Sequence, residues 1–158
     1  MQTPREPWPH PWAALLPAAW AVKRASLETG DFVLASHPHG AVIERKTPAS
    51  CIGAGRERFE RELRRSRYSG RFVVVIEGSL SDVAAAARGI HHNAVVGTLA
   101  SWALRFCPFI FAGSERLAAD FAFRFLAGQV RSIDCVTNVV RKACAAPKPA
   151  QNDNYTPF

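Results

Sequence analysis

Three side chains in the first third of the chain, Asp31, Glu44 and Lys46, have the types and spacing that hydrolytic chemistry needs. In a strand, residues i and i+2 point to the same side. Glu44 and Lys46 therefore project together, with Val42 on their side and Arg45 on the other. Two carboxylates can hold a hard divalent cation through oxygen ligands, and Mg²⁺ needs only one or two of them plus waters. Such a cation polarises a phosphodiester and lowers the pKa of water. A neighbouring lysine orients that water or offsets charge building on phosphorus. The same spacing also suits a surface hairpin closed by a cross-strand salt bridge, and at this point both readings stand.

The elements that must position these residues follow from local pattern. Asp31–Ala35 and Ala41–Lys46 read as two strands of a hairpin around a turn, His37-Pro-His-Gly40. Residues 13–23 allow a short helix near Pro17. Residues 55–68 read as a helix whose apolar stripe is only Phe59 and Leu63, at i and i+4. From Arg56 to Arg71 there are seven arginines against three glutamates. This is either a solvated face laced with pairs such as Glu57–Arg61 and Glu60–Arg64, or a face that meets phosphates through Arg56, Arg58, Arg61 and Arg65.

Arg71–Glu77 is the clearest strand, and its continuous β-branched run predicts burial on both faces. Ser79, with Asp82 three residues on, predicts a capped helix over 80–87. Asn93 is the expected cap of a helix over 94–106, in which Trp102 is a core residue. Phe109–Ala112 reads as a short strand, and Ser114 as the cap of a helix over 115–127 that Gly128 ends. Strands alternate with helices, so the class is α/β with a central mixed sheet.

Length and composition bound the rest. The 158 residues suggest one domain. Twenty Lys and Arg against thirteen Asp and Glu give a net charge of +7, which favours a polyanionic partner. The four cysteines, 51, 107, 135 and 144, form no Cys-x-x-Cys pair, which argues against zinc. Apolar stretches break well before the ~18 residues of a membrane span, and no basic-then-apolar signal opens the chain. The expectation is a soluble, cytoplasmic protein with no membrane partner. His91-His92 and the pair His37, His39 are expected to be exposed rather than metal-bound, and Trp8 and Trp12 to form an N-terminal lid over the core.

Four segments taken together carry a family resemblance. They are Glu28-Thr-Gly30-Asp31-Phe, Ile43-Glu44-Arg45-Lys46, Gly55-Arg-Glu-Arg-Phe-Glu-Arg-Glu-Leu63 and Val73-Val-Val-Ile-Glu77. They resemble the XPF-type structure-specific endonuclease domain, whose signature is Gly-Asp, a spacer, Glu-Arg-Lys, three residues, then Asp. The similarity spans about residues 3–130, and the compact form is similar to prophage and bacterial members. It implies a restriction-endonuclease-like fold, a central mixed sheet flanked by helices, with the nuclease domain at 1–133; the C-terminal tail at 134–158, Pro-, Asn- and Ala-rich from about Ala145, is expected to be largely disordered. It further implies Mg²⁺ or Mn²⁺ held by Asp31 and Glu44, Lys46 as the catalytic lysine, and Arg45 as the arginine of the motif. The implied partner is branched or structured DNA, in repair or recombination. Homodimerisation through the helix at 94–106 or 115–127 is implied as well.

The chain departs from the family pattern at two acids. Thr3, before Arg5-Glu6, stands where an Asp belongs, and Ser50 stands where the motif's last Asp belongs. The segment 47–54 is also shorter than the family's by roughly one helical turn. Glu77 is either a replacement oxygen or an ordinary strand-end carboxylate. A catalytically impaired DNA-binding or scaffold relative is therefore the alternative to an active endonuclease.

Overall fold

A computed structural model describes residues 11–15, 20–23, 25–52 and 55–145, with residues 134–145 as backbone only. Its centre is a four-stranded mixed sheet in the order β1 (Phe32–Leu34), β2 (His37–Lys46), β3 (Arg71–Ile76), β4 (Phe109–Phe111). β1 runs antiparallel to β2, while β2–β3 and β3–β4 are parallel. Between strands lie α1 (Pro48–Cys51), α2 (Arg56–Ser66), α3 (Leu80–Ala86) and α4 (His92–Arg105), and α5 (Glu115–Ala145) follows β4.

The β-branched run of β3 is buried along Phe72–Ile76, as its composition predicts. Its even-numbered side chains, with Val42, pack under α2, α3 and α4 together with Phe59, Leu63 and Trp102. Its odd-numbered side chains, with Ala41 and Ile43, pack against α5 and Trp12. The sheet is thus sandwiched between two helical layers. Full burial of each such side chain contributes about 1.5–3 kcal/mol. Phe59 fixes α2 over the sheet by edge-on contacts with Trp102, at 5.4 Å between ring centroids, and Phe109, at 6.1 Å. Trp102 is a core residue, as expected.

Several local expectations are corrected. The helix expected over 13–23 is a 3-10 turn, Pro11–Leu15, and residues 20–23 are not helical. The hairpin turn lies at Ala35-Ser36, and His37–Gly40 belongs to β2. His91, not Asn93, caps α4: its Nδ1 accepts the Asn93 N–H at 3.2 Å. α5 does not stop at Gly128 but runs on to Ala145. The one-turn helix α1 starts from a local signal, Thr47 as cap with Pro48 at the first helical position and Ser50 at the third. Ser79 caps α3 as expected, in a reciprocal box with Asp82. No helix among the described residues is long and apolar enough to cross a membrane. α4 presents Val96 and Leu104 to solvent, and α5 presents Leu117.

Candidate active site

Gly30 sets the geometry at the edge of the sheet. Its φ is +78°, a left-handed conformation that a side chain disfavours. A Cβ there would also run into Val42 Cγ1 and sit 3.2 Å from Ile43 O. The bend brings the Asp31 N–H to Ile43 O at 2.7 Å, and Asp31 Oδ2 accepts the backbone N–H of Arg45 at 2.7 Å. Asp31 is thereby tied to the strand that carries Glu44.

Glu44 lies on the α2 side of β2 and is 5% exposed. Burial, and then the nearby Asp31 carboxylate, push its pKa up from 4.5 to about 7. Lys46 opposes that shift: its Nζ pairs with Glu44 Oε1. The same ammonium reaches Glu62 Oε2 at 3.2 Å and stands 4.6 Å from the centroid of the Phe59 ring. Burial works against the Lys46 charge, but Glu44 and Glu62 outweigh it and lift its pKa above the usual lysine value. Lys46 is therefore a fixed cation and hydrogen-bond donor at neutral pH, unsuited to act as a base.

Arg45 faces the other layer. Its Nε and Nη2 grip Glu77 Oε1 and Oε2 at 2.6 and 3.0 Å, and its guanidinium lies 5.8 Å from the Trp12 ring centroid. Trp12 Nε1 donates to the same Glu77 oxygen at 2.9 Å and stacks on Phe32. Glu77 is thus an ion-pair partner on the α5 side, away from Glu44, rather than a replacement oxygen. Trp12 is 3% exposed and covers the core, as a lid should; Trp8 and the Thr3–Glu6 segment lie outside the described residues.

Ser50 is occupied locally. Its Oγ accepts the Thr47 N–H at 3.0 Å and donates to Thr47 O at 2.9 Å, closing the turn of α1. Among the described residues no group of three or more His, Cys, Asp or Glu is placed to hold a metal ion. The available donors are the two carboxylates Asp31 and Glu44. They suit a hard cation that keeps several waters, and their mutual repulsion is what a bound cation would relieve.

The arginines of α2 divide. Arg58 pairs with Glu62 at 3.2 Å, and Arg64 with Glu60 at 2.9 Å; no Glu57–Arg61 pair forms among the described residues. Arg56 lies 6.0 Å from the Trp102 ring centroid, and Arg61 is exposed. Arg65 lines a cleft of about 350 Å³ with Glu28, Thr29, His39 and Tyr68. His91 and His92 are exposed and face each other at 4.3 Å between centroids. Sequence reasoning missed Glu62 as a site residue. Its signal was the i+3 spacing from buried Phe59, which brings it to the border of the buried stripe.

The family model for the ERCC4 domain, the XPF-type nuclease domain, matches residues 18–125. No curated protein matches the chain.

Proposed function

Because this chain belongs to the ERCC4-domain family of structure-specific nucleases, we propose that it is a divalent-metal-dependent DNA endonuclease that cuts at branched or non-duplex sites. The observation that carries the reading is Lys46, held between Glu44 and Glu62 with Asp31 at the bend just before the adjoining strand.

In this reading Asp31 and Glu44 hold Mg²⁺ or Mn²⁺. The cation, when bound, supplies Lewis-acid activation of the phosphodiester and of a water. Glu44 must be ionised to act as a ligand, and Lys46 favours that state. The Lys46 ammonium also offsets negative charge building on the phosphoryl oxygens, in a buried setting where that charge is worth more than in water. Arg45 is a positioning residue: its backbone N–H aligns Asp31, and its side chain anchors β2 to Glu77. Arg56, Arg58, Arg61 and Arg65 are the candidate phosphate contacts of α2.

Purified protein with Mg²⁺ or Mn²⁺ is expected to cut labelled flaps, forks or nicked duplexes, and Glu44→Ala to abolish cutting. Intact substrates, or equal cutting by Glu44→Ala, would overturn the reading.

A second reading, a non-cutting DNA-binding scaffold, is favoured by one observation. Ser50 is committed to its own turn, so no third carboxylate joins the pair. Salt-sensitive binding without metal-dependent cutting would select it.

A further inference from the structure

A groove of about 520 Å³ lies at the far end of the sheet from Glu44 and Lys46. Arg67, Arg71 and Phe106 line it, together with Ser66 and Ser69, and among the described residues no acidic one does. Three guanidinium groups surround the Phe106 ring: Arg67 and Arg105 at 5.1 Å from its centroid, and Arg64 at 6.0 Å. Arg67 Nη2 donates to Arg105 O at 3.1 Å, and Arg105 Nε to Ser101 O at 3.3 Å. Arg67 caps α2 and Arg105 ends α4, so two helix C-termini meet here.

Helix-end capping accounts for part of this charge, but not for all of it. Arg64, Arg67, Arg71 and Arg105 bring four positive charges. Glu60 offsets one through Arg64. Each helix C-terminus offsets about half a charge. Roughly two positive charges are left around the groove. Among the described residues, Arg67, Arg71 and Arg105 make no carboxylate pair. Cation–π attraction to Phe106 helps hold the guanidinium groups together while leaving their charge in place.

The spacing relates this groove to the candidate active site. Arg71 pairs in register with Ala41, whereas Glu44 pairs with Val74 and Lys46 with Ile76. Along the strands three to five residues separate them, or about 10–16 Å. Arg71, in phase with Ala41 and Val73, projects from the α5 face of the sheet, while Glu44 and Lys46 project from the α2 face. A nucleic-acid strand that rounds the end of the sheet between them needs more than about three to five nucleotides, at roughly 3.4 Å each. α2 joins the two places: its Phe59 and Glu62 meet Lys46, and its cap Arg67 lines the groove.

We propose that the groove lined by Arg67 and Arg71, with Arg105 on the same Phe106 ring, is a second DNA-backbone site, which grips the arm flanking the cut. This rests on the nuclease reading above. The test is fluorescence anisotropy of a labelled flap DNA with the full chain in EDTA, over a series of salt concentrations. Each lost phosphate contact lowers the slope of log K against log salt by about 0.9. Arg71→Ala is expected to lower it by about 0.9, and Arg67→Ala/Arg105→Ala by about 1.8. Arg71 opens β3, is exposed and makes no side-chain hydrogen bond or ion pair among the described residues, so its variant is expected to keep the fold. If the wild type binds and the Arg71→Ala slope is unchanged, this groove is not a DNA site, while the nuclease reading stands. If the wild type shows no salt-dependent binding, both readings fall together.

Discussion

Glu44 should make the metal-free protein less stable as pH rises through neutrality. Its pKa is about 7 in the fold, against 4.5 for the unperturbed group. Between those values the fold holds a proton that the unfolded chain has released, so stability falls with increasing pH. This contribution is fully present below about pH 4.5, declines through the window, and is gone above about pH 7. At 1.36 kcal/mol per pKa unit, the total is on the order of 3 kcal/mol. Glu44→Gln removes the titration while keeping the shape. The assay is urea denaturation in EDTA at half-unit pH steps from 4 to 8.5, taking the difference between wild type and variant. The two should converge near pH 4.5, and the variant should be more stable by a few kcal/mol at pH 8. A pH-independent difference, or a wild type more stable at pH 8, would refute the reasoning that burial and Asp31 together penalise the Glu44 charge. A variant more stable at pH 8 exemplifies a general trade-off, since the charge that destabilises the fold is the one the chemistry needs.

Three further outcomes are expected. Lys46→Met should abolish metal-dependent cleavage while anisotropy shows DNA affinity changed by less than about threefold, because one contact of many is lost; parallel loss of binding would make Lys46 a docking residue instead. Gly30→Ala should lower the urea-derived stability by on the order of 2 kcal/mol or more, since it adds left-handed strain to a collision with Val42; an unchanged midpoint would mean that the bend does not set Asp31. Arg45→Met alone should cost about 3–5 kcal/mol by stranding the Glu77 carboxylate, and Arg45→Met with Glu77→Leu should recover most of it. In that double-mutant cycle, additive losses would show that the pair is not coupled.

What the sequence revealed was what depends on short-range pattern. The β-branched run 71–76 announces burial on both faces, and the alternation at 44–46 puts Glu44 and Lys46 on one side and Arg45 on the other. What it concealed depends on distant partners. His37-Pro-His-Gly40 reads as a turn because Pro and Gly usually mark one. Yet β3 begins to pair with β2 only at Ala41, so the missing Pro38 N–H costs no bond of that ladder. Gly40 is needed because the Gln129 side chain occupies the place of its Cβ, while Gln129 Oε1 accepts the Ala41 N–H at 2.8 Å. That contact joins residues 88 apart and has no local signature. It also helps explain why α5 passes Gly128: glycine costs a helix about 1 kcal/mol, and buried Leu126 and Gln129 offset it. Glu77 has no local signature of its role either, because its partners Trp12 and Arg45 come from two other parts of the chain.

The alternation along β2 also sets which changes in length the chain can absorb. A strand behaves as a reading frame of period two, because a shift by one residue sends every side chain to the opposite face. One residue inserted between Ala41 and Glu44 would turn the acid and lysine toward Trp12 and present the arginine to Glu62. The arginine would then lose Glu77, and the acid and lysine would lose Asp31 and Glu62. Two inserted residues would restore the faces and only displace the site along the strand. Single-residue insertions in β2 should therefore be tolerated far less than longer changes in the segment that joins β2 to α2. Drift in the length of this chain has room after Lys46, and almost none before it.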